Sequence, residues 1–91
     1  MSHVLAVLDA LCTKHDTWFY RIRRHIKLHF EHYIVELIVN DNHRIVISNT
    51  YDDNFVDVWC DTHDSHDNGD RIKKSALLEY LLYIIKEESG E

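Results

Sequence analysis

Histidine and cysteine are the residue types in this sequence with the clearest potential for metal chemistry. Eight histidines occur among 91 residues, and one group combines two of them with a cysteine in the pattern Cys60-x-x-His63-x-x-His66. Zinc takes four nitrogen or sulfur ligands in a tetrahedron, and this pattern offers three of them over a short stretch. Known zinc patterns pair two separate knuckles, however, and a core-facing cysteine at a strand end would point away from loop histidines. We therefore expect no metal and no cofactor, with Cys60, His63 and His66 as the candidate ligands if one is bound.

Catalytic motifs are missing from the sequence. Glycine occurs only at positions 69 and 90, which excludes a glycine-rich phosphate loop. Hydrolytic chemistry would need a nucleophile with an oriented base, or two convergent carboxylates. The many histidines and aspartates fall instead in predicted turns, where water keeps side-chain pKa values ordinary. We expect a protein that is not an enzyme.

A short basic strip follows three aromatic residues near the start of the chain. The aromatics are Trp18, Phe19 and Tyr20, and the basic side chains are Arg21, Arg23, Arg24 and Lys27. Arginine and lysine bind phosphates and aromatic rings stack on bases, so this strip is an alternative surface for nucleic acid. The net charge of −6 opposes that function. Nucleic-acid binding is therefore the alternative rather than the favoured prediction.

The middle of the chain is strongly acidic. Residues 33–70 contain nine acidic side chains against the single basic Arg44. Such a surface could imitate the phosphates of a nucleic acid and compete for the basic groove of a nuclease or another nucleic-acid enzyme, as small anti-defence inhibitors of phages and mobile elements do. The open alternative is that the acids serve only solubility. The predicted partner-binding residues are Glu36, Asp41, Asp52, Asp53, Asp57, Asp61, Asp64, Asp67, Trp59 and Tyr83.

These residues would be positioned by a three-strand antiparallel meander over residues 33–60. Valine, isoleucine and aromatic residues fill its three runs, and turns rich in Asn and Asp separate them at 40–43 and 52–54. Alternation predicts a buried row of Val35, Leu37, Ile45, Ile47, Val56 and Val58.

Residues 19–31 are ambiguous between strand and helix. A strand that buries the even positions fits slightly better than a helix that buries Ile22, Ile26 and Phe30. We therefore predict a fourth strand with Tyr20, Ile22, Ile26, Leu28 and Phe30 inside. The alternation changes phase between Glu31 and Tyr33, which predicts a bulge or tight turn there.

Two helices complete the predicted fold. Residues 2–14 place apolar side chains at helical spacing, and a polar loop over 63–70 leads to a final helix over 71–88 with Asp70 as its cap. The run 76–85 in that helix is apolar almost all round, so it cannot be covered by one sheet. We predict a homodimer or partner contact through its outer side, at Leu82 and Tyr83.

The whole chain is expected to be one domain, residues 1–91, of the α+β class. We predict an antiparallel four-stranded sheet flanked by the N-terminal and C-terminal helices. No apolar run reaches the roughly 18 residues of a membrane span, and Cys12 and Cys60 give no disulfide framework. These features predict a cytoplasmic protein, in the host cytoplasm if a phage encodes it, which binds a protein partner and no membrane.

Overall fold

The computed structural model describes residues 1–41, 43–62, 65–66 and 70–89. It belongs to the α+β class, as predicted, with a wholly antiparallel sheet and two helices. The elements are α1 (Ser2–Lys14), β1 (Phe19–Lys27), β2 (Glu31–Asn40), β3 (His43–Asn49), β4 (Phe55–Thr62), β5 (Ser65–His66), β6 (Asp70–Lys73), one 3₁₀ turn (Lys74–Ala76) and α2 (Leu77–Ser89).

The sheet has five strand positions instead of the predicted four. Strands β1 to β4 lie side by side in chain order, and the fifth position, along the outer edge of β4, is shared by two short strands. β5 pairs with Asp61 and Thr62, whereas β6 pairs with the first half of β4. The free backbone groups along the edge of β4 provide partners for both segments. The rest of the predicted polar loop, at positions 63–64 and 67–69, lies outside the described residues.

The start of the last helix was predicted too early. Residues Asp70–Lys73 form β6, and the helix begins only at Leu77. Asp70 does not cap it; its carboxylate instead accepts a hydrogen bond of 2.6 Å from the Tyr80 hydroxyl in α2. The extended conformation pairs these residues with β4 and places Ile72 against the core.

The strand prediction for residues 19–31 is confirmed over Phe19–Lys27, but its burial was predicted wrongly. The bulge or tight turn predicted between Glu31 and Tyr33 is a turn at residues 28–30 that separates β1 from β2, and an irregularity that was not predicted lies between Ile22 and Arg24. β1 is also an edge strand, so its apolar side chains are only partly covered. Ile22 is 46 % exposed, and in the following turn Leu28 and Phe30 are 85 % and 57 % exposed. A two-residue alternation shows which face a side chain takes, but not whether anything covers that face.

Both helices pack on the same face of the sheet. All six predicted core residues of the meander are buried and belong to one cluster with residues of both helices. Tyr33 and Cys60 extend this row on their strands. The helix residues in the cluster are Val4, Leu8 and Leu11 from α1 and Leu77, Leu81 and Ile85 from α2. The other face of the sheet is therefore left without a helix.

Candidate partner-binding face

The face of the sheet that points away from both helices is the candidate functional site, and we call it the open face. Strand register arranges its residues in three rows that run across the strands. The central row contains Arg21, Glu36, Val46 and Trp59. The rows on either side are Phe19, Ile38 and Arg44, with Asp61 opposite Arg44 in register, and Arg24, Ile34, Ser48, Asp57 and Arg71.

A buried charge lies in the central row. Glu36 is fully buried although no helix covers it, because the long side chains of Arg21 and Arg23 lie over it. Arg21 donates a hydrogen bond from Nε to Glu36 Oε1, and Arg23 Nη1 lies 3.8 Å from Glu36 Oε2. Glu36 therefore does not lie on the exposed acidic surface that the sequence predicted. Its charge fixes two arginines in place instead.

The centre of the open face is apolar. Val46 is completely buried there, and Trp59, its neighbour across the strands, is half-buried. Ile34 and Ile38 are half-buried beside them, and Phe19 is exposed. None of these five residues belongs to the hydrophobic core between sheet and helices. Arginines beside aromatic and aliphatic side chains are the composition that protein interfaces favour.

The arginines of the open face differ in what they contact. Arg71 donates from Nε to Asp57 Oδ1 over 3.2 Å, and Arg21 and Arg23 are paired with Glu36. Arg24 and Arg44 are exposed and form no ion pair within the described part of the chain. The face therefore combines internally balanced charge with two arginines that are free to meet a ligand.

A surface pocket of about 330 Å³ opens beside the third row. Phe30, His32 and Tyr51 contribute to its wall together with the Asp57–Arg71 ion pair. The rings of Phe30 and Tyr51 contact each other with centroids 5.3 Å apart, which joins the β1–β2 turn to the β3–β4 turn. This volume is at the lower end of the range for small-molecule sites, and it matches the size of one anchoring side chain of a partner.

The other predicted partner-binding residues are spread over the molecule. Asp41 lies in the β2–β3 turn, and Asp52 and Asp53 lie in the β3–β4 turn at the opposite end of the sheet. Tyr83 is 62 % exposed on α2, away from the open face. Asp64 and Asp67 lie outside the described residues. The described carboxylates therefore form no single acidic row.

The basic strip is divided in the same way. Arg21 and Arg23 contact Glu36, and Arg24 lies in the third row of the open face. Lys27, at the end of β1, pairs in register with Glu31. Three of the four residues therefore belong to the open face. Arg21 and Arg23 are paired with Glu36 there, whereas Arg24 forms no ion pair within the described part of the chain.

The candidate metal ligands are only partly described. Cys60 is buried in the core among residues that face the helices. His63 lies outside the described residues, and His66 lies in β5. Among the residues that the structure describes, no group of three or more His, Cys, Asp or Glu side chains is placed to hold a metal ion.

Sequence reasoning missed Val46, Ile34, Ile38 and Arg71 as site residues. The unbroken run Ile45-Val46-Ile47 was the available signal, since a strand that is apolar on both faces needs cover on both.

Comparison with known proteins gives no relative for this fold and face. A scan against models of protein families found no match, and searches of curated proteins and of solved structures found none either. Within the described residues, the structure contains no helix with the length and apolar character that crossing a membrane requires. The open face is therefore the feature from which we infer function.

Proposed function

We propose that this chain is a small interaction protein that binds a protein partner through the open face of its sheet. The observation that carries the proposal is the central row, where Val46 and Trp59 lie beside the Arg21–Glu36 pair on a face that neither helix covers. Tryptophan and arginine are the residue types that contribute most to binding energy at interfaces. Trp59 is the expected anchor.

The open face alone is smaller than a typical protein interface, so we expect the partner to contact the adjoining turns as well. Five strand positions at about 4.8 Å and three rows at about 7 Å give a patch of roughly 24 by 20 Å. A stable interface buries about 800 Å² on each partner, which is more than this patch alone provides. The pocket beside Phe30 and Tyr51 is continuous with the third row and would enlarge the contact.

A protein ligand is favoured over nucleic acid by the state of the arginines. Proteins that bind duplex DNA firmly make about six to ten phosphate contacts. Among the described cations of the open face, Arg24, Arg44 and Lys73 form no ion pair. Three unpaired cations suit the rim of a protein interface better than a phosphate groove.

We propose further that the partner is a nucleic-acid enzyme, which this chain inhibits by presenting carboxylates in place of the phosphates of a nucleic acid. It is supported by the net charge of −6 and by Asp52 and Asp53, which are exposed in the turn next to the pocket. In this form the open face provides the affinity and the acidic turn meets a basic groove of the partner.

The test is capture of partners from a host-cell lysate, with and without nuclease. Trp59→Ala and Arg44→Glu change the open face, and Lys14→Glu makes the same charge reversal at the end of α1 as a matched control. We expect a protein to be captured after nuclease treatment, lost with both open-face variants and retained with the control. Capture that nuclease abolishes would favour the nucleic-acid alternative. Capture that no open-face variant weakens would refute the proposal.

A further inference from the structure

A second, smaller pocket lies at the same end of the sheet and shares Phe30 and Tyr51 with the first. It encloses about 100 Å³, and four aromatic residues contribute to its wall: Phe30, Tyr33, Tyr51 and Phe55. A drug-sized ligand needs roughly 300 Å³ or more. The pocket is therefore the size of a single head group rather than of a nucleotide or a large ligand.

The hydroxyl of Tyr33 is an unsatisfied polar group at this pocket. Tyr33 is 1 % exposed, and its Oη forms no hydrogen bond within the described part of the chain. A buried hydroxyl without a partner costs about 1–3 kcal/mol, so such groups are nearly always paired. Burial, together with the Glu31 and Asp53 carboxylates, raises the pKa of Tyr33 to about 12, so the hydroxyl stays protonated at neutral pH. Its oxygen is available to accept a hydrogen bond.

The charged residues that line the pocket determine whether it favours a cationic or an anionic ligand. Glu31, Asp52 and Asp53 line it against one cation, Lys74. Glu31 is occupied, because His25 Nε2 lies 2.9 Å from Oε2 and the amino group of Met1 lies 3.2 Å from Oε1. The hydrogen bond from His25, followed by that from the amino group, lowers the pKa of Glu31.

The remaining two carboxylates are not equivalent. Asp52 Oδ1 accepts the backbone N–H of Asn54 over 2.9 Å and so holds the turn. Asp53 forms no hydrogen bond or ion pair within the described residues. The pocket thus presents one free carboxylate, one free hydroxyl oxygen and several aromatic rings.

We propose that this pocket binds a primary alkylammonium group, either as the lysine side chain of a protein or as a free amine. The N–H groups of the ligand would donate to Tyr33 Oη and to the Asp53 carboxylate. Its positive charge and alkyl chain would lie against the aromatic rings, an attraction of about 0.5–2 kcal/mol. The Asp53 carboxylate disfavours an anion, and a quaternary ammonium has no N–H to offer the hydroxyl.

Lys74 is the natural competitor for this site. Its backbone is fixed at both ends, since its N–H donates to Asn54 O over 2.9 Å and its carbonyl lies 2.9 Å from His3 Nε2. Lys74 also lines the pocket. Removing that ammonium group should strengthen binding of an external one.

The test is a binding titration followed by NMR with n-butylammonium, choline and the neutral n-butanol. We expect n-butylammonium to bind at least several-fold more tightly than choline and n-butanol. Tyr33→Phe should weaken n-butylammonium by about tenfold and reduce its advantage over choline, because one of its two charge-assisted hydrogen bonds is lost. Asp53→Asn should also weaken it, Lys74→Ala should tighten it, and Asp41→Asn, at the far end of the sheet, should change nothing.

A further arm distinguishes the two sources of the ligand. If N-acetyl-lysine methylamide binds more tightly than n-butylammonium, the site recognises a lysine residue together with its backbone. If the two bind equally, the site recognises only the ammonium group and alkyl chain of a primary amine. Equal binding of n-butanol and n-butylammonium would overturn the proposal, as would tighter binding of choline. Tyr33→Phe is expected to melt no lower than the parent chain, so weaker binding in that variant would not reflect unfolding.

Discussion

Glu36 carries a charge that the sheet has buried, so the stability of the domain should depend on the arginine that contacts it. The substitution Arg21→Ala removes the hydrogen bond to Glu36 Oε1 and leaves only Arg23, at 3.8 Å from Oε2. Breaking a fully buried ion pair costs about 3–5 kcal/mol. Because the Arg21 side chain is 59 % exposed, screening reduces this, and we expect a loss of about 1–3 kcal/mol.

A double-mutant cycle isolates the ion pair from other effects of the substitution. Glu36→Met replaces the buried carboxylate by an apolar side chain of similar length. In that background, Arg21→Ala should cost under about 0.5 kcal/mol. Arg24→Ala is the matched control, because Arg24 is on the same strand and exposed without an ion pair in the described part of the chain; it should change the free energy of unfolding by at most about 0.5 kcal/mol.

Urea unfolding followed by tryptophan fluorescence measures all four variants. A coupling energy near zero between positions 21 and 36, or equal losses for Arg21→Ala and Arg24→Ala, would show that Glu36 is not held by Arg21. The burial of Glu36 would then need a different explanation from the contact with Arg21.

Three further predictions concern the core, the helix and the metal candidates. The pKa of Tyr33 is raised from 10.0 to about 12, so folding favours the neutral hydroxyl. The free energy of unfolding should be unaffected by this group below pH 10 and should fall as the pH rises toward 12. Urea unfolding at each pH measures this fall, which should be smaller in Tyr33→Phe. Leu82 and Tyr83 remain 45 % and 62 % exposed on α2, so light scattering over a dilution series should show a dimer at high micromolar concentration that Leu82→Glu dissociates; a parent chain that is monomeric throughout would contradict this. Thermal melting should give the same Tm with and without a chelator, and a shift of several degrees that His63→Ala abolishes would establish a metal site instead.

The strands of the meander were predictable because their signal is local. Val35 and Leu37, or Val56 and Val58, alternate with polar or less buried positions, and Asn and Asp mark the turns between the strands. The helix of residues 2–14 was predictable for the same reason. In each case a short window contains both the period and the boundaries.

The fifth strand position could not be predicted in that way. Asp70–Lys73 is too short to show a period, and its conformation depends on the unpaired edge of β4, which comes from elsewhere in the chain. Its position before the apolar run of α2 made a helical start equally reasonable. Tertiary pairing decided the conformation of these four residues.

The open face was only partly predictable. Alternation places Ile34, Val46 and Trp59 opposite the core row, but it does not show that both helices choose the same face. The burial of Glu36 depends on Arg21, which becomes its neighbour only through the β1–β2 register. The small pocket combines Phe30, Tyr33 and Tyr51 with Lys74, and no local pattern connects residues so far apart in sequence.

The most direct test of partner binding through the open face is the accessibility of Trp59 when a partner is bound. Trp18→Phe leaves Trp59 as the single tryptophan of this chain, so acrylamide quenching of fluorescence, after subtraction of the signal of the partner alone, reports on this side chain. On addition of the captured protein at saturating concentration, we predict that the quenching constant falls several-fold, because the interface excludes water and acrylamide from the central row. A quenching constant that stays unchanged while the partner is bound would contradict the account.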